Sequence, residues 1–112
     1  MDYSLKTMSE KIKTIDVRNV KMVKIKTLIS AKCPEDLKID HVLLQISIYK
    51  PKKVPELYSF LSYLRSFAEK TIYHENLLYE IYNTLKSLCE PERIKLRAEV
   101  NYNDFVYEVI ID

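Results

Sequence analysis

Not one of the 112 residues is glycine, where about 7% would be average. Without glycine, the backbone loses its cheapest route into left-handed turns and into close approach to a ligand. Loops of the P-loop or dinucleotide-binding kind need glycine where the chain passes the phosphates. They are therefore excluded, and a nucleotide cofactor held in the usual way is not expected. Turns are left to Asn, Asp and Pro.

With 47% hydrophobic residues, a chain of this length forms one domain around a modest core. It has no signal peptide and no apolar run long enough to span a membrane. Its two cysteines, Cys33 and Cys89, are too few for a secreted disulfide scaffold. A cytoplasmic protein with free thiols is the expectation. The net charge of +2 hides an asymmetry, because residues 1–32 carry a balance of +5 and the remainder −3. Such a basic segment could touch a phosphate backbone, and it could equally be an ordinary solvated surface.

Residues 1–18 show no clear period and are read as a basic arm or edge extension preceding one domain over residues 19–112. From Val20 to Ile29, Val23, Ile25 and Thr27 share one face, and Lys21, Lys24 and Lys26 interrupt them. This predicts a first strand with one wet face, ended by Cys33-Pro34 because Pro34 cannot donate to a ladder. A second strand is predicted over His41–Tyr49. Leu57, Phe60, Leu61, Leu64 and Phe67 then fall at helical spacing, as do Leu77, Leu78, Ile81, Leu85 and Leu88. Pro55 suits the first turn of the first helix, and Glu75 the positive end of the second, which Glu90-Pro91-Glu92 stops. Ile94, Leu96, Ala98 and Val100 alternate with polar residues as a half-buried strand, and Asn103-Asp104 turns the chain into a last strand, Phe105–Ile111. The order is ββααββ: an α+β fold with an antiparallel sheet and two helices on one face. Its exposed strand edges favour oligomerisation.

Taken singly, the residues that could carry chemistry are ambiguous. Cys33 could be a small buried apolar residue, Asp40 a turn or cap, and Glu75 a helix-start charge. A zinc site drawn from Cys33, His41, His74 and Cys89 has no recognised ligand spacing, so no metal is expected. Cys89 follows the apolar stripe of the second helix, where it serves packing. The nine tyrosines could offer stacking surfaces for bases, but most are read as support for sheet and subunit contacts.

Together the pieces are more telling. The Cys33-Pro34 pair, Asp40 seven residues after the cysteine, Ser66-Phe67 and His74-Glu75 stand in the same order as in the nitrile reductase family of queuosine biosynthesis. Over residues 28–112 the chain resembles that family, which has the tunnelling fold and reduces the cyano group of 7-cyano-7-deazaguanine. The run between Cys33 and Asp40 departs from the family's usual Gly-Gln-containing loop. A second departure concerns the cofactor. The reductases carry a Glu-x-Lys-x-x-Lys-x-aromatic motif that serves NADPH; here Glu56, Ser59 and Tyr63 remain, but Tyr58 and Leu61 occupy the lysine positions and Ala68 replaces an arginine. Losing three cations removes most of the attraction for phosphates. The resemblance is thus to the amidinotransferase branch, the archaeosine synthases, which use ammonia and not NADPH on the same cyano group already in tRNA.

On that resemblance, Cys33 is the nucleophile that adds to the nitrile carbon to give a thioimide. A thiol ordinarily titrates near pH ~8.5 and needs help to lose its proton. Asp40 would carry that proton to the developing imide nitrogen. Glu75 would accept two N–H bonds from a guanine-like edge, with His74 beside it positioning the base or shuttling a proton. Lys21, Lys24 and Lys26 are the candidate tRNA contacts. The family's sheets join edge to edge, which implies a cyclic homo-oligomer, a pentamer or paired pentamers. Two other readings stand beside this one: an NADPH-dependent nitrile reductase, and a non-catalytic tunnelling-fold module that binds RNA or a partner.

Overall fold

The computed structural model describes residues 11–102 and 104–112. The expectations placed on residues 1–10 and on Asn103 lie outside that range. Four long strands form one antiparallel sheet in the order β2-β3-β5-β6: β2 Met22–Lys32, β3 Ile39–Tyr49, β5 Arg93–Tyr102 and β6 Phe105–Ile111. Helix α1 (Leu57–Arg65), a 3-10 turn (Ser66–Glu69) and helix α2 (His74–Cys89) connect β3 to β5. The four strands and two helices follow the expected ββααββ order, and the architecture is that of the tunnelling fold.

Period-two alternation decides the faces. Val42, Leu44, Ile46 and Ile48 of β3 are buried, as are Ile94, Leu96, Ala98 and Val100 of β5 and Ile29 and Ala31 of β2. The apolar stripes of the helices lie on this face: Phe60, Tyr63 and Leu64 from α1, then Leu77, Leu78, Ile81 and Leu85 from α2. Burying side chains of this size contributes about 1.5–3 kcal/mol each by removing them from water. The Tyr63 ring packs edge-on to Phe67 at 5.4 Å between centroids. Its hydroxyl pairs with Thr84 Oγ1 at 3.2 Å, and burial pushes its pKa up to about 12. The other face of the sheet carries no helix among the described residues. It exposes Lys24, Lys26, Leu28, Leu43, Val106 and Ile110.

Several boundaries differ from expectation. Strand β2 runs three residues past Ile29, and β3 starts two residues before His41, so Asp40 sits inside a strand and not in a turn. Lys21 lies just before β2, so of the three candidate lysines Lys24 and Lys26 are on that strand. Pro55 does not open α1. It ends β4 (Lys53–Pro55), which pairs with β1 (Thr14–Asp16) in a separate two-stranded sheet. The cap of α1 is Glu56, whose carboxylate accepts from the backbone N–H groups of Tyr58 and Ser59 and satisfies two donors the helix leaves open. Phe67 belongs to the 3-10 turn, not to α1.

The lack of glycine is met differently than expected. Asn19 takes a left-handed conformation, but so do Leu37, Lys50 and Glu90, with φ of 59°, 47° and 45°. For side chains with a Cβ this costs about 1–2 kcal/mol per residue. Two of them end regular elements: Lys50 follows β3, and Glu90 caps α2. Leu37 lies in the loop that follows Cys33.

Candidate active site

Three local arrangements bring the residues singled out above to one end of the sheet. The first is the loop after β2. Cys33 closes it with its own backbone, its N–H donating to the Lys38 carbonyl at 2.9 Å and its carbonyl accepting from the Leu37 N–H at 2.8 Å. Asp36 Oδ1 accepts from the Lys38 N–H at 3.0 Å. The second is a short parallel bridge between Lys32 and Thr71. The Lys32 N–H donates to the Lys70 carbonyl and the Ile72 N–H to the Lys32 carbonyl. This bridge sets Cys33, one residue beyond β2, beside the segment that leads into α2. The third is the start of α2, where His74 and Glu75 occupy the first turn.

Cys33, Ile72, Tyr73, His74, Glu75, Phe105 and Tyr107 line a cavity of about 210 Å³. The cysteine is half-buried and thus open to a ligand. Asp40 is not among these lining residues. It faces the helices from β3, is 7% exposed, and its Oδ2 lies 3.1 Å from His74 Nε2. Its cross-strand neighbour is Ala31, whose small side chain leaves room for the carboxyl. Asp40 therefore contacts the cavity through His74. Glu75 Oε1 accepts from the Tyr107 hydroxyl at 2.7 Å. That hydrogen bond, more than any other influence, holds the Glu75 carboxyl below its usual value of 4.5. On the cavity's other flank the Tyr73 hydroxyl donates to Glu35, which raises the phenol's pKa.

Cys33, His74 and Glu75 thus share one cavity, and Asp40 joins them through His74. Lys24 and Lys26 do not; they stand on the opposite face of the sheet, seven or more residues up β2 from Cys33. His41 also points to that face, where its Nδ1 pairs with Ser30 Oγ at 3.1 Å. Cys89, the last residue of α2, is fully buried, and burial pushes its thiol up to about 11. Cys33, His41, His74 and Cys89 therefore lie apart from one another as a set. Sequence reasoning treated the tyrosines as general support and missed Tyr73 and Tyr107. Tyr107 carried a readable signal, since it alternates in phase with Val109 and Ile111. Which carboxylate it meets depends on the packing of α2 against β6.

A family model described as QueF-like protein matches residues 40–104, more than half of the chain. The chain belongs to the QueF-like family. Among curated QueF relatives, the NADPH-dependent 7-cyano-7-deazaguanine reductase of Sulfurovum sp. (strain NBC37-1) is 37% identical over 78 residues, covering 70% of this chain and 62% of that protein. The reductase of the same name from Sulfurimonas denitrificans is 31% identical over 81 residues, covering 72% and 65%. The chain thus spans somewhat under two thirds of the length of these relatives. A crystal structure of the archaeosine synthase QueF-Like in its apo form superimposes with a TM-score of 0.78, covering 84% of this chain and 94% of that one at 20% identity. At that identity the likeness establishes the fold. No helix among the described residues is long and apolar enough to cross a membrane.

Proposed function

We propose that this QueF-like chain is an amidinotransferase that converts the nitrile of 7-cyano-7-deazaguanine in tRNA to the amidine of archaeosine. The observation that carries the reading over reduction is the surface of α1 and of the 3-10 turn after it. Tyr58, Leu61 and Ala68 stand where the reductase motif has cations, and Tyr58 is 77% exposed where a lysine would meet phosphate. The motif residues that remain have structural partners: Glu56 caps α1, Ser59 Oγ accepts from the Lys13 N–H at 3.0 Å, and Tyr63 is core. The cavity's size agrees, because 210 Å³ lies below the roughly 300 Å³ at which pockets for drug-sized ligands begin. It suits one flat base, with the rest of the nucleic acid outside and the base taken out of its stack.

In this mechanism the Cys33 sulfur adds to the nitrile carbon, forming a C–S bond and leaving a C=N bond. The thiol proton passes to the imide nitrogen through the Asp40–His74 pair, whose hydrogen bond keeps the imidazole in one orientation. Glu75, an anionic acceptor at the positive end of α2, takes the N–H groups of the base edge. Ammonia then attacks the thioimide carbon, the C–S bond breaks, and Cys33 regains its proton. The sum is nitrile plus ammonia to amidine, with no electrons transferred. Lys21, Lys24 and Lys26 are the proposed tRNA contacts. Copies of the chain are proposed to join through the β2 and β6 edges as a ring, a pentamer or a pair of them; a monomer in light scattering at micromolar concentration would contradict this.

The reductase reading is favoured by the names of the curated relatives. Adding the free cyano base in the presence of NADPH separates the two. The amidinotransferase forms the thioimide and leaves NADPH absorbance unchanged, whereas steady loss of NADPH would establish the reductase.

A further inference from the structure

We propose that Tyr107 is the residue that positions Glu75 for base recognition, so that the last strand of the sheet sets the affinity of a site whose chemistry lies on β2, β3 and α2. This rests on the base-recognition reading given above. Three observations carry it. The Tyr107 hydroxyl donates to Glu75 Oε1 at 2.7 Å, an ordinary distance for a hydroxyl on a carboxylate. The strand holds Tyr107 firmly, pairing it in register with the buried Val100 of β5. And both Tyr107 and its alternate neighbour Phe105 line the same cavity as Cys33 and Glu75, forming a wall across from the start of α2.

Glu75 is at the second position of α2, with no cap from the Tyr73 side chain before it, and its own backbone N–H acts on the carboxyl less than the Tyr107 hydroxyl does. A carboxylate offers about four lone-pair directions. With one taken by Tyr107, the remainder can meet two parallel N–H donors of a flat base while the carboxyl group stays in one plane. The other titratable groups lining the cavity are His74 beside Glu75 on α2, Cys33 from the loop after β2, and Tyr73 at the helix start. His74 also favours the charged form of Glu75, but less than Tyr107 does. Removing the phenol hydroxyl therefore has a signature that packing alone lacks: Glu75 takes up its proton at higher pH.

The test compares Tyr107→Phe with the natural chain in two measurements. The first is the carbon NMR titration of the Glu75 carboxyl without ligand; the midpoint rises in Tyr107→Phe, and an unmoved midpoint overturns the proposal. The second is the rate of thioimide formation with 7-cyano-7-deazaguanine, followed by intact mass against base concentration and pH. The half-saturating concentration is expected to rise about three- to tenfold, the weight of an ordinary intramolecular hydrogen bond and less than that of a buried one to a charge, because the site is partly exposed. The maximal rate stays within about twofold, and the acid limb of the profile moves to higher pH. Concentration and pH dependence that superimpose on the natural chain remove the role of Tyr107 and leave the base site standing. Failure of the natural chain itself to bind the base would remove the recognition reading and this role with it.

Discussion

Substituting Asp40 by Asn and by Ala separates what this residue does for the fold from what it does for the reaction. The Asp40 side chain is 7% exposed, and the His74 side chain it contacts is 12% exposed. Alanine leaves the His74 Nε2 without its partner and opens a small void beside Ala31. An orphaned polar group at this depth costs about 1–3 kcal/mol, which for a domain of this size lowers Tm by roughly 4 °C or more per kcal/mol. Asparagine keeps the shape, and its amide can still pair with the imidazole, so its cost should stay below about 1 kcal/mol. Neither substitute can carry a proton. Both variants should therefore lose about a hundred- to ten-thousandfold in the rate of thioimide formation, the usual weight of a general acid–base group. Thermal melts give the first quantity, and intact mass against time with the free cyano base gives the second. Asp40→Asn that forms adduct at the natural rate would refute the reasoning and reduce Asp40 to a structural partner of His74.

Other consequences are simpler to check. A thiol reagent such as iodoacetamide should label Cys33 readily and leave Cys89 untouched until the protein unfolds, because Cys89 is fully buried with its thiol pushed up to about 11; peptide mapping reads both. Glu90→Gly should stabilise the fold by about 0.5–1 kcal/mol in urea titration, since glycine relieves the left-handed φ of 45° at the end of α2 and gives back part of the gain as unfolded-state entropy. Reversing the charges of Lys24 and Lys26 should weaken tRNA binding and flatten its salt dependence without slowing adduct formation with the free base. Affinity indifferent to both salt and those substitutions would mean that RNA is held elsewhere.

Much of the fold was legible because its strands and helices carry strong periods. Ile94 to Val100 alternates cleanly, and the stripe of Leu77, Leu78, Ile81 and Leu85 has one helical face, so β5 and α2 could be placed from the sequence. The start of β3 was less plain. Ile39-Asp40-His41 puts a carboxyl among apolar residues, which reads as a turn. Yet Asp40 is in phase with Val42, Leu44, Ile46 and Ile48, and that phase was the available signal. The small sheet of β1 and β4 was beyond reach, because two three-residue strands separated by more than thirty residues carry no period of their own. The left-handed turns at Leu37, Lys50 and Glu90 were also hidden, since these residue types resist that conformation and do not mark a turn. In the site, order and spacing singled out Cys33, His74 and Glu75, which the structure brings to one cavity. Tyr107 showed its phase with Val109 and Ile111 but not its partner, and Tyr73 had no local mark; the packing of α2 against β6 and the bridge between Lys32 and Thr71 give them their partners.

The central claim is that ammonia, and not hydride, completes the reaction at the Cys33 thioimide. The most direct measurement incubates the protein with tRNA carrying 7-cyano-7-deazaguanine and an ammonium salt, with and without NADPH, and follows with digestion and mass analysis of the nucleosides. The account predicts the amidine nucleoside in both reactions, dependent on ammonium and absent with Cys33→Ala. An aminomethyl product that appears only with NADPH would contradict it.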